Sequence, residues 1–199
     1  QAGLSAQETA RAEGATLVAT AVACMAAHDH QGAIVAYEAA VALDVNDEAL
    51  TASYSVGAES ARTALSDAVV VARGKLTEGE SLIASQEWEA AIVCFTAGLA
   101  VEGTHDEALT ASLRAALESA EASQTARDTA RAAAEAHLTE GDEHVKTRAY
   151  ALGITSLEAG LALDTQSEEL TVRLQKSVAA GQAGLSAQET ARAEGATLV

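Results

Sequence analysis

The feature that most constrains this chain is a perfect internal repeat. Residues 1–18, QAGLSAQETARAEGATLV, recur without a change as residues 182–199. Chance does not produce an identity of this length, so the sequence predicts a 181-residue unit followed by the start of the next unit. The chain also begins at Gln1 and has no initiator Met there. We therefore expect a mature fragment or a window on a longer tandem array, with an engineered overlap as the alternative explanation.

A shorter repeat lies within the 181-residue unit. Three stretches resemble GAIVAYEAAVAL, and each is followed by a polar loop and a box that reads DEALTAS, DEALTAS or SEELTVR. Ile34, Ile92 and Ile154 anchor the three stretches, with spacings of 58 and 62 residues. The unit therefore divides into three subrepeats, and a fourth segment begins the next unit: 1–63, 64–123, 124–181 and 182–199.

Composition and segment length favour helices throughout the chain. The sequence contains 50 alanines and no proline, whereas soluble proteins average about 5% proline. The segments from the first two DEALTAS-type boxes to the next anchor isoleucine have 45 and 48 residues, and the third would have 48 if it ran to the equivalent of Ile34 in the expected next unit. A difference of three residues is close to one helical turn, which a continuous helix tolerates. We expect an all-α fold, an α-solenoid of helical hairpins joined by long Ala-rich helices.

Local spacing predicts the helix boundaries of the second subrepeat. A turn is expected around residues 86–87, followed by a helix over residues 88 to about 101. A second helix is expected over residues 107 to about 146, which would be about 60 Å long at 1.5 Å per residue. A break near residues 123–125 would divide this long helix into two.

The loops before the long helices carry candidate start signals. Thr104-His-Asp-Glu107 and Thr165-Gln-Ser-Glu168 match the capping box, in which the Thr oxygen accepts an amide hydrogen bond. Val45 stands at this place in the first subrepeat, where Asn46 or Asp44 is the expected cap. Glycines within the predicted helices are candidate kinks: Gly57, Gly181 and Gly184.

Each subrepeat carries a similar set of small, aliphatic and aromatic residues over two helices. In the second subrepeat these are Gly79, Leu82, Trp88, Ala91, Ile92, Phe95, Gly98 and Leu99. In the third they are Gly141, Tyr150, Gly153, Ile154, Leu157, Gly160 and Leu161, and in the first, with a poorer fit, Ala21, His30, Ala33, Ile34, Tyr37, Ala40 and Val41. The set resembles the tetratricopeptide repeat (TPR), a helical hairpin with small residues in both helices and an aromatic residue at the turn. The usual Pro after the second helix is missing, and the period is about 60 residues instead of 34.

The TPR resemblance and the helical stripes together predict which residues pack the repeats. These repeat-packing residues are Ile34, Tyr37, Leu82, Trp88, Ala91, Ile92, Phe95, Leu99, Tyr150, Ile154, Leu157 and Leu161. Each would lie on the apolar face of a helix and contact the neighbouring helix of the hairpin. We predict no catalytic, cofactor-binding or metal site.

TPR proteins often bind a peptide in a concave groove, so the resemblance also implies groove positions. These positions are Leu76, Glu80, Ile83 and Ala84, then Leu138, Asp142, Val145 and Lys146, and in the first subrepeat Val18, Val22, Met25 and Ala26. Only Lys146 is basic and none is Asn, so a clamp for a peptide carboxylate is not expected. The apolar groove instead favours burial against a helix of this chain or of a neighbouring copy.

Charge and motif content exclude several classes of function. The net charge of −17 disfavours binding to nucleic acid, which needs basic side chains, and no apolar segment is long enough to span a membrane. Cys24 and Cys94 are expected to be free, buried thiols. The pair Cys24 and His28 offers too few metal ligands, and the set His137, Glu140 and His144 extends over two helical turns. No catalytic triad or phosphate-binding motif is present, so we do not expect an enzyme.

These observations favour a structural protein. The tandem repeat predicts a filament or rod built by stacking of repeats, with copies of the same sequence as partners and no cofactor. A filament outside the cell or at its surface is the location that we expect. The alternative is a TPR-like scaffold that binds a peptide or protein partner in its groove.

Overall fold

A computed structural model describes residues 2–43 and 46–196, and these residues form seven α-helices and no strand. The fold is therefore all-α, as the sequence predicts. The helices are α1 (Ala2–Ala26), α2 (His30–Ala42), α3 (Glu48–Ala84), α4 (Trp88–Leu99), α5 (Glu107–Lys146), α6 (Tyr150–Leu161) and α7 (Glu168–Ala196). Short helices of 13, 12 and 12 residues thus alternate with long ones.

The long helix α5 follows its predicted boundaries. It has 40 residues and is continuous through residues 123–125, so the break considered there is absent. The glycines predicted as kinks also lie inside continuous helices, Gly57 in α3 and Gly181 and Gly184 in α7. The structure gives these glycines a packing role, which is described below.

Three hairpin turns connect α1 to α2, α3 to α4 and α5 to α6, and they share one backbone conformation. In the second turn the amide of Gln86 donates to the carbonyl of Ile83 at 2.9 Å, and the amide of Glu87 donates to that of Leu82 at 2.9 Å. This pair of bonds forms a Schellman motif, whose left-handed residue is usually glycine. Here the left-handed residues are His28, Gln86 and Arg148, with φ of 58°, 62° and 61°. The three turns therefore follow the same path although none contains glycine.

The loops before α3, α5 and α7 also share one conformation, and the predicted caps in them are wrong. The observed caps are Asp47, Asp106 and Ser167, which accept hydrogen bonds from the amides of Leu50, Leu109 and Leu170 at 3.2, 2.9 and 3.3 Å. The residue before each cap is left-handed: Asn46, His105 and Gln166 have φ of 49°, 43° and 50°. The left-handed residue is the last one before the cap in each loop. Thr104, Thr165 and Asn46 therefore precede the capping residue and do not occupy its position. Asp44 and Val45 lie outside the described residues.

The chain divides into two compact units, Gln1–Glu121 and Ala122–Val199. The first unit contains two apolar clusters, called here the first core and the second core. In the first core α1, α2 and the beginning of α3 meet, and its buried residues are Ala33, Ile34 and Ala61. In the second core the end of α3, α4 and the beginning of α5 meet, and its buried residues are Ala72, Ala91, Phe95, Leu109, Leu113 and Ala120.

The second unit contains the third core, which has the same plan. Residues from the last part of α5, from α6 and from the beginning of α7 form it, and those that are buried are Ala134, Leu138, Leu157, Leu170 and Leu174. Each core therefore contains a short helix between the end of one long helix and the beginning of the next. Such three-helix packing buries the apolar stripe of the short helix on two sides.

Candidate functional site

All of the predicted repeat-packing residues are buried or half-buried in the structure. Ile34, Ala91, Phe95 and Leu157 are buried, and Phe95 and Leu157 have no exposed surface. Tyr37, Leu82, Ile92, Leu99 and Leu161 are half-buried and pack against one of the three cores. Trp88, Tyr150 and Ile154 are also half-buried. These residues form the candidate functional sites, which are the packing surfaces of separate cores, two in the first unit and one in the second.

The closest packing in the second core is between a ring and a glycine. Gly79 of α3 lies against the ring of Phe95 of α4, and a Cβ at this position would overlap the ring. Gly98 of α4 meets α5 in a similar way, because a Cβ there would lie 2.8 Å from Cδ2 of Leu113. Small residues at these places let α3, α4 and α5 approach closely.

The first core has a comparable contact at a different place. The ring of Tyr37 of α2 lies against Gly57 of α3, where a Cβ would lie 2.5 Å from the ring carbon Cε1. A second contact of this kind joins α1 to α3, since a Cβ at Gly14 would lie 3.1 Å from the Tyr54 hydroxyl oxygen. Tyr54 is buried, and Gly14 is buried with it.

The third core packs glycines against both aliphatic and aromatic side chains. A Cβ at Gly141 of α5 would overlap Leu157, which stands at the position of Phe95. Gly181 and Gly184 of α7 meet α6, because a Cβ at Gly181 would lie 3.0 Å from Ile154 and one at Gly184 would overlap the ring of Tyr150. These two glycines therefore admit neighbouring side chains and do not mark a break in α7.

The predicted repeat-packing residues leave out one equivalent set of core residues, of which only Leu113 lies on an apolar stripe recognised in the sequence. Tyr54, Leu113 and Leu174 each lie seven residues after the N-cap of a long helix, and their exposed fractions are 5%, 2% and 1%. Tyr54 packs against Gly14 of α1, Leu113 against Gly98 of α4, and Leu174 against Gly160 of α6. The signal was present in the sequence, because all three positions carry a large apolar or aromatic residue at one offset from the DEALTAS-type box.

A polar contact joins the first hairpin turn to the loop between α4 and α5. His28 Nε2 lies 3.2 Å from Glu102 Oε2, and His105 Nε2 lies 3.3 Å from Asp29 Oδ1. Gly103 lies beneath the turn with φ of 75°, and a Cβ there would lie 2.5 Å from the carbonyl oxygen of His28. The stretch from the anchor Ile92 to the cap Asp106 has one residue more than its two counterparts in the other subrepeats, and Gly103 lies in this longer stretch. No pattern in the sequence predicts that these two segments meet.

The sets considered as metal ligands do not form a metal site. His137 and His144 lie on one face of α5 around Glu140, as their spacing predicts, but at 3.8 and 3.9 Å from its carboxylate oxygens. Glu140 accepts a hydrogen bond from the Ser156 hydroxyl at 2.8 Å instead. Within residues 2–43 and 46–196, no group of three or more His, Cys, Asp and Glu residues could hold a metal ion.

The two cysteines are free thiols, and Cys94 belongs to one of these packing surfaces. Cys94 is buried on α4 and Cys24 is half-buried on α1. Burial is the main cause that raises the pKa of the Cys94 thiol, and the nearby Glu78 carboxylate adds to this effect. Glu78 itself accepts a hydrogen bond from Lys75 Nζ at 2.7 Å, which lowers the pKa of Glu78 and raises the pKa of Lys75. Cys94 therefore stays a protonated apolar residue at neutral pH.

Several positions assigned to a peptide groove take part in packing. Leu138 is buried in the third core, Leu76 and Ile83 pack against the second core, and Met25 packs against the first. Val22, in contrast, is 54% exposed. A peptide would have to bind beside these side chains and not on them, and peptide binding in a groove stays a prediction.

Comparison with known proteins adds no further assignment. No protein family, no curated protein and no solved structure matches this chain. Within the described residues, none of the helices has the length and the apolar character needed to cross a membrane, in agreement with the sequence analysis. The packing of the three cores is therefore the basis of the proposed function.

Proposed function

We propose that this chain is a structural tandem-repeat protein, a segment of an array whose 181-residue units stack into a rod or filament. The three cores are proposed to continue from unit to unit as a TPR-like α-solenoid. One observation carries the proposal, namely that residues 2–18 begin α1 and residues 182–196, from the second copy of the repeated segment, end α7.

The two helices fit together as parts of one helix. Superposing the identical segments places Ala26, the last residue of α1, at position 207 of a continued chain. A helix from Glu168 to that position would have 40 residues, which is the length of α5. The array would then contain long helices of 37, 40 and 40 residues in every unit.

The contacts of the two copies are complementary as well. In α7 the repeated segment contributes Gly184, which packs against Tyr150 of α6. In α1 it contributes Gly14, which packs against Tyr54 of α3. A continued helix would make both contacts at once and would join the third core of one unit to the first core of the next. Nearest-neighbour contacts of this kind are the source of stability in repeat proteins.

A chain lengthened by one further 181-residue unit tests the proposal. We expect its thermal midpoint to exceed that of the 199-residue chain, and electron microscopy of longer arrays to show rods whose length grows with unit number. An unchanged midpoint together with short particles of one size would contradict the proposal.

Ala191→Pro provides a matched control for the joint between units. Ala191 lies near the end of α7 in the 199-residue chain, where proline should cost little because few residues follow. In the lengthened chain the same proline falls in the middle of the merged helix and should cost about 3 kcal/mol. An equal loss of stability in both chains would show that the merged helix does not form.

A further inference from the structure

The two copies of the repeated segment have the same sequence and different surroundings. Residues 1–18 are called here the head segment and residues 182–199 the tail segment. In the head segment, Arg11 Nη2 forms an ion pair with Asp47 Oδ2 at 3.0 Å, and Gly14 packs against Tyr54. Asp47 and Tyr54 belong to the first two turns of α3 and its cap, and they form the surface that holds the head segment.

The described part of the tail segment has different surroundings. Arg192 of α7 is identical in sequence to Arg11 and is exposed, and so is every residue from Glu189 to Glu194. Ala10 is half-buried in α1, whereas the identical Ala191 is exposed in α7. Arg192 also lines a shallow depression together with Arg148, so two guanidinium groups lie at this end of a chain whose net charge is −17.

We propose that the tail segment of one copy binds the Asp47–Tyr54 surface of a second copy in place of that copy's head segment. The partner is thus another molecule of the same chain, and the recognition is the Arg–Asp pair and the glycine–tyrosine contact already seen in α1. The paired groups are complementary in charge, because the Arg192 guanidinium would meet the Asp47 carboxylate, although the tail segment also carries Glu189 and Glu194. The contact joins the tail of one molecule to the head end of the next, so it does not close and extends to a fibre.

The protein concentration determines whether the tail segment of one molecule can displace the head segment of another. The head segment is tethered to the surface that it covers, and a short tether gives an effective concentration of about 1 mM. At micromolar concentration the intact head segment therefore excludes the tail segment of another molecule. Weakening the head segment alone should release the surface and let molecules join.

Matched variants test this exchange, because equivalent residues differ by 181 in number. The head-blocked chain carries Arg11→Glu and Gly14→Leu, and the doubly blocked chain adds Arg192→Glu and Gly195→Leu. We expect sedimentation velocity at about 100 µM to show oligomers of the head-blocked chain, and monomers of the unaltered and doubly blocked chains. Circular dichroism should show similar helix content in all three. A helical head-blocked chain that stays monomeric, or a doubly blocked chain that still associates, would overturn the proposal.

Peptide binding provides a second measurement, and it uses a variant that changes only an exposed ion pair. A fluorescently labelled peptide with the sequence of residues 182–199 should bind Arg11→Glu at least about ten-fold more tightly than it binds the unaltered chain. Equal binding to both, or binding to neither, would overturn the exchange. The inference rests on the stacking proposed above, but these outcomes leave the lengthened-chain experiment unaffected, so the two proposals can fail separately.

Discussion

Tyr37 and Phe95 stand at equivalent positions of α2 and α4, 58 residues apart, yet they pack in opposite directions along the chain. Phe95 is fully buried against Gly79, in the helix that precedes α4. Tyr37 is half-buried against Gly57, in the helix that follows α2. The same hairpin therefore has two ways of burying its ring.

The position of glycine explains the difference. The first core has Ala21 at the position equivalent to Gly79, and the second core has Ala116 at the position equivalent to Gly57. In each core the ring lies against the neighbouring long helix that has glycine, and not alanine, at the position facing the ring. The contact between ring and glycine thus occurs in both cores, whereas the helix that supplies the glycine changes.

Truncation of the buried ring should have the largest effect. Phe95→Ala removes a side chain with no exposed surface, and we expect a loss of about 3–5 kcal/mol in the free energy of unfolding. Urea denaturation followed by circular dichroism measures this loss. Tyr37→Ala is the matched variant, and it should cost about half as much because Tyr37 keeps part of its surface in water. Equal losses would show that the two rings are buried to the same extent.

Filling the space beside the buried ring should have the next largest effect. A methyl group at Gly79 would overlap the Phe95 ring, and overpacking of this kind costs about 1–3 kcal/mol. Alanine in place of glycine recovers up to about 1 kcal/mol of helix propensity. We therefore expect Gly79→Ala to destabilise the chain by about 1–2 kcal/mol in the same assay, and a stabilised variant would contradict the packing described here.

The equivalent change in the first core should be nearly neutral. A methyl group at Gly57 would lie 2.5 Å from the Tyr37 ring, but this ring is half-exposed and can move towards water. The gain in helix propensity offsets the displacement of the ring. We expect Gly57→Ala to change the free energy of unfolding by less than about 0.5 kcal/mol. A loss as large as that of Gly79→Ala would remove the distinction between the two cores.

Gly74→Ala completes the series on α3 and should have a small effect of opposite sign. No atom lies within 4 Å of a Cβ at Gly74, so only helix propensity changes. We expect a stabilisation of about 0.5–1 kcal/mol, seen as a higher urea midpoint with an unchanged slope. If Gly74→Ala destabilised the chain, the effects at Gly79 and Gly57 could not be attributed to their rings.

The all-α fold and the ends of α5 could be predicted because they depend on local features. The continuous helix agrees with the absence of proline and with the stripe of Leu109, Leu113 and Leu117. Burial of Ala91, Phe95 and Leu157 was predictable for the same reason, since each lies on the apolar face of a short amphipathic helix.

The caps could not be predicted, because residue type alone does not determine the backbone conformation of these loops. His105 and Gln166 adopt left-handed backbone without being Gly or Asn, and the helices begin after Asp106 and Ser167. The spacing of Thr104 and Glu107 satisfied the capping-box pattern, but the chain does not place Thr104 at the helix end. The packing role of the glycines in α3 and α7 could not be predicted either, because only the three-dimensional structure brings Tyr37 to Gly57 and Tyr150 to Gly184.

One consequence follows from α3, which contributes Ala61 to the first core and Ala72 to the second. Starting a helix is unfavourable and extending it is not, so the two cores share a single nucleation event. Loss of either core leaves half of α3 without tertiary support, and fraying then proceeds towards the other core. A chain built from such shared helices would open from its free ends inward, and a protease would reach a given residue later the farther it lies from an end.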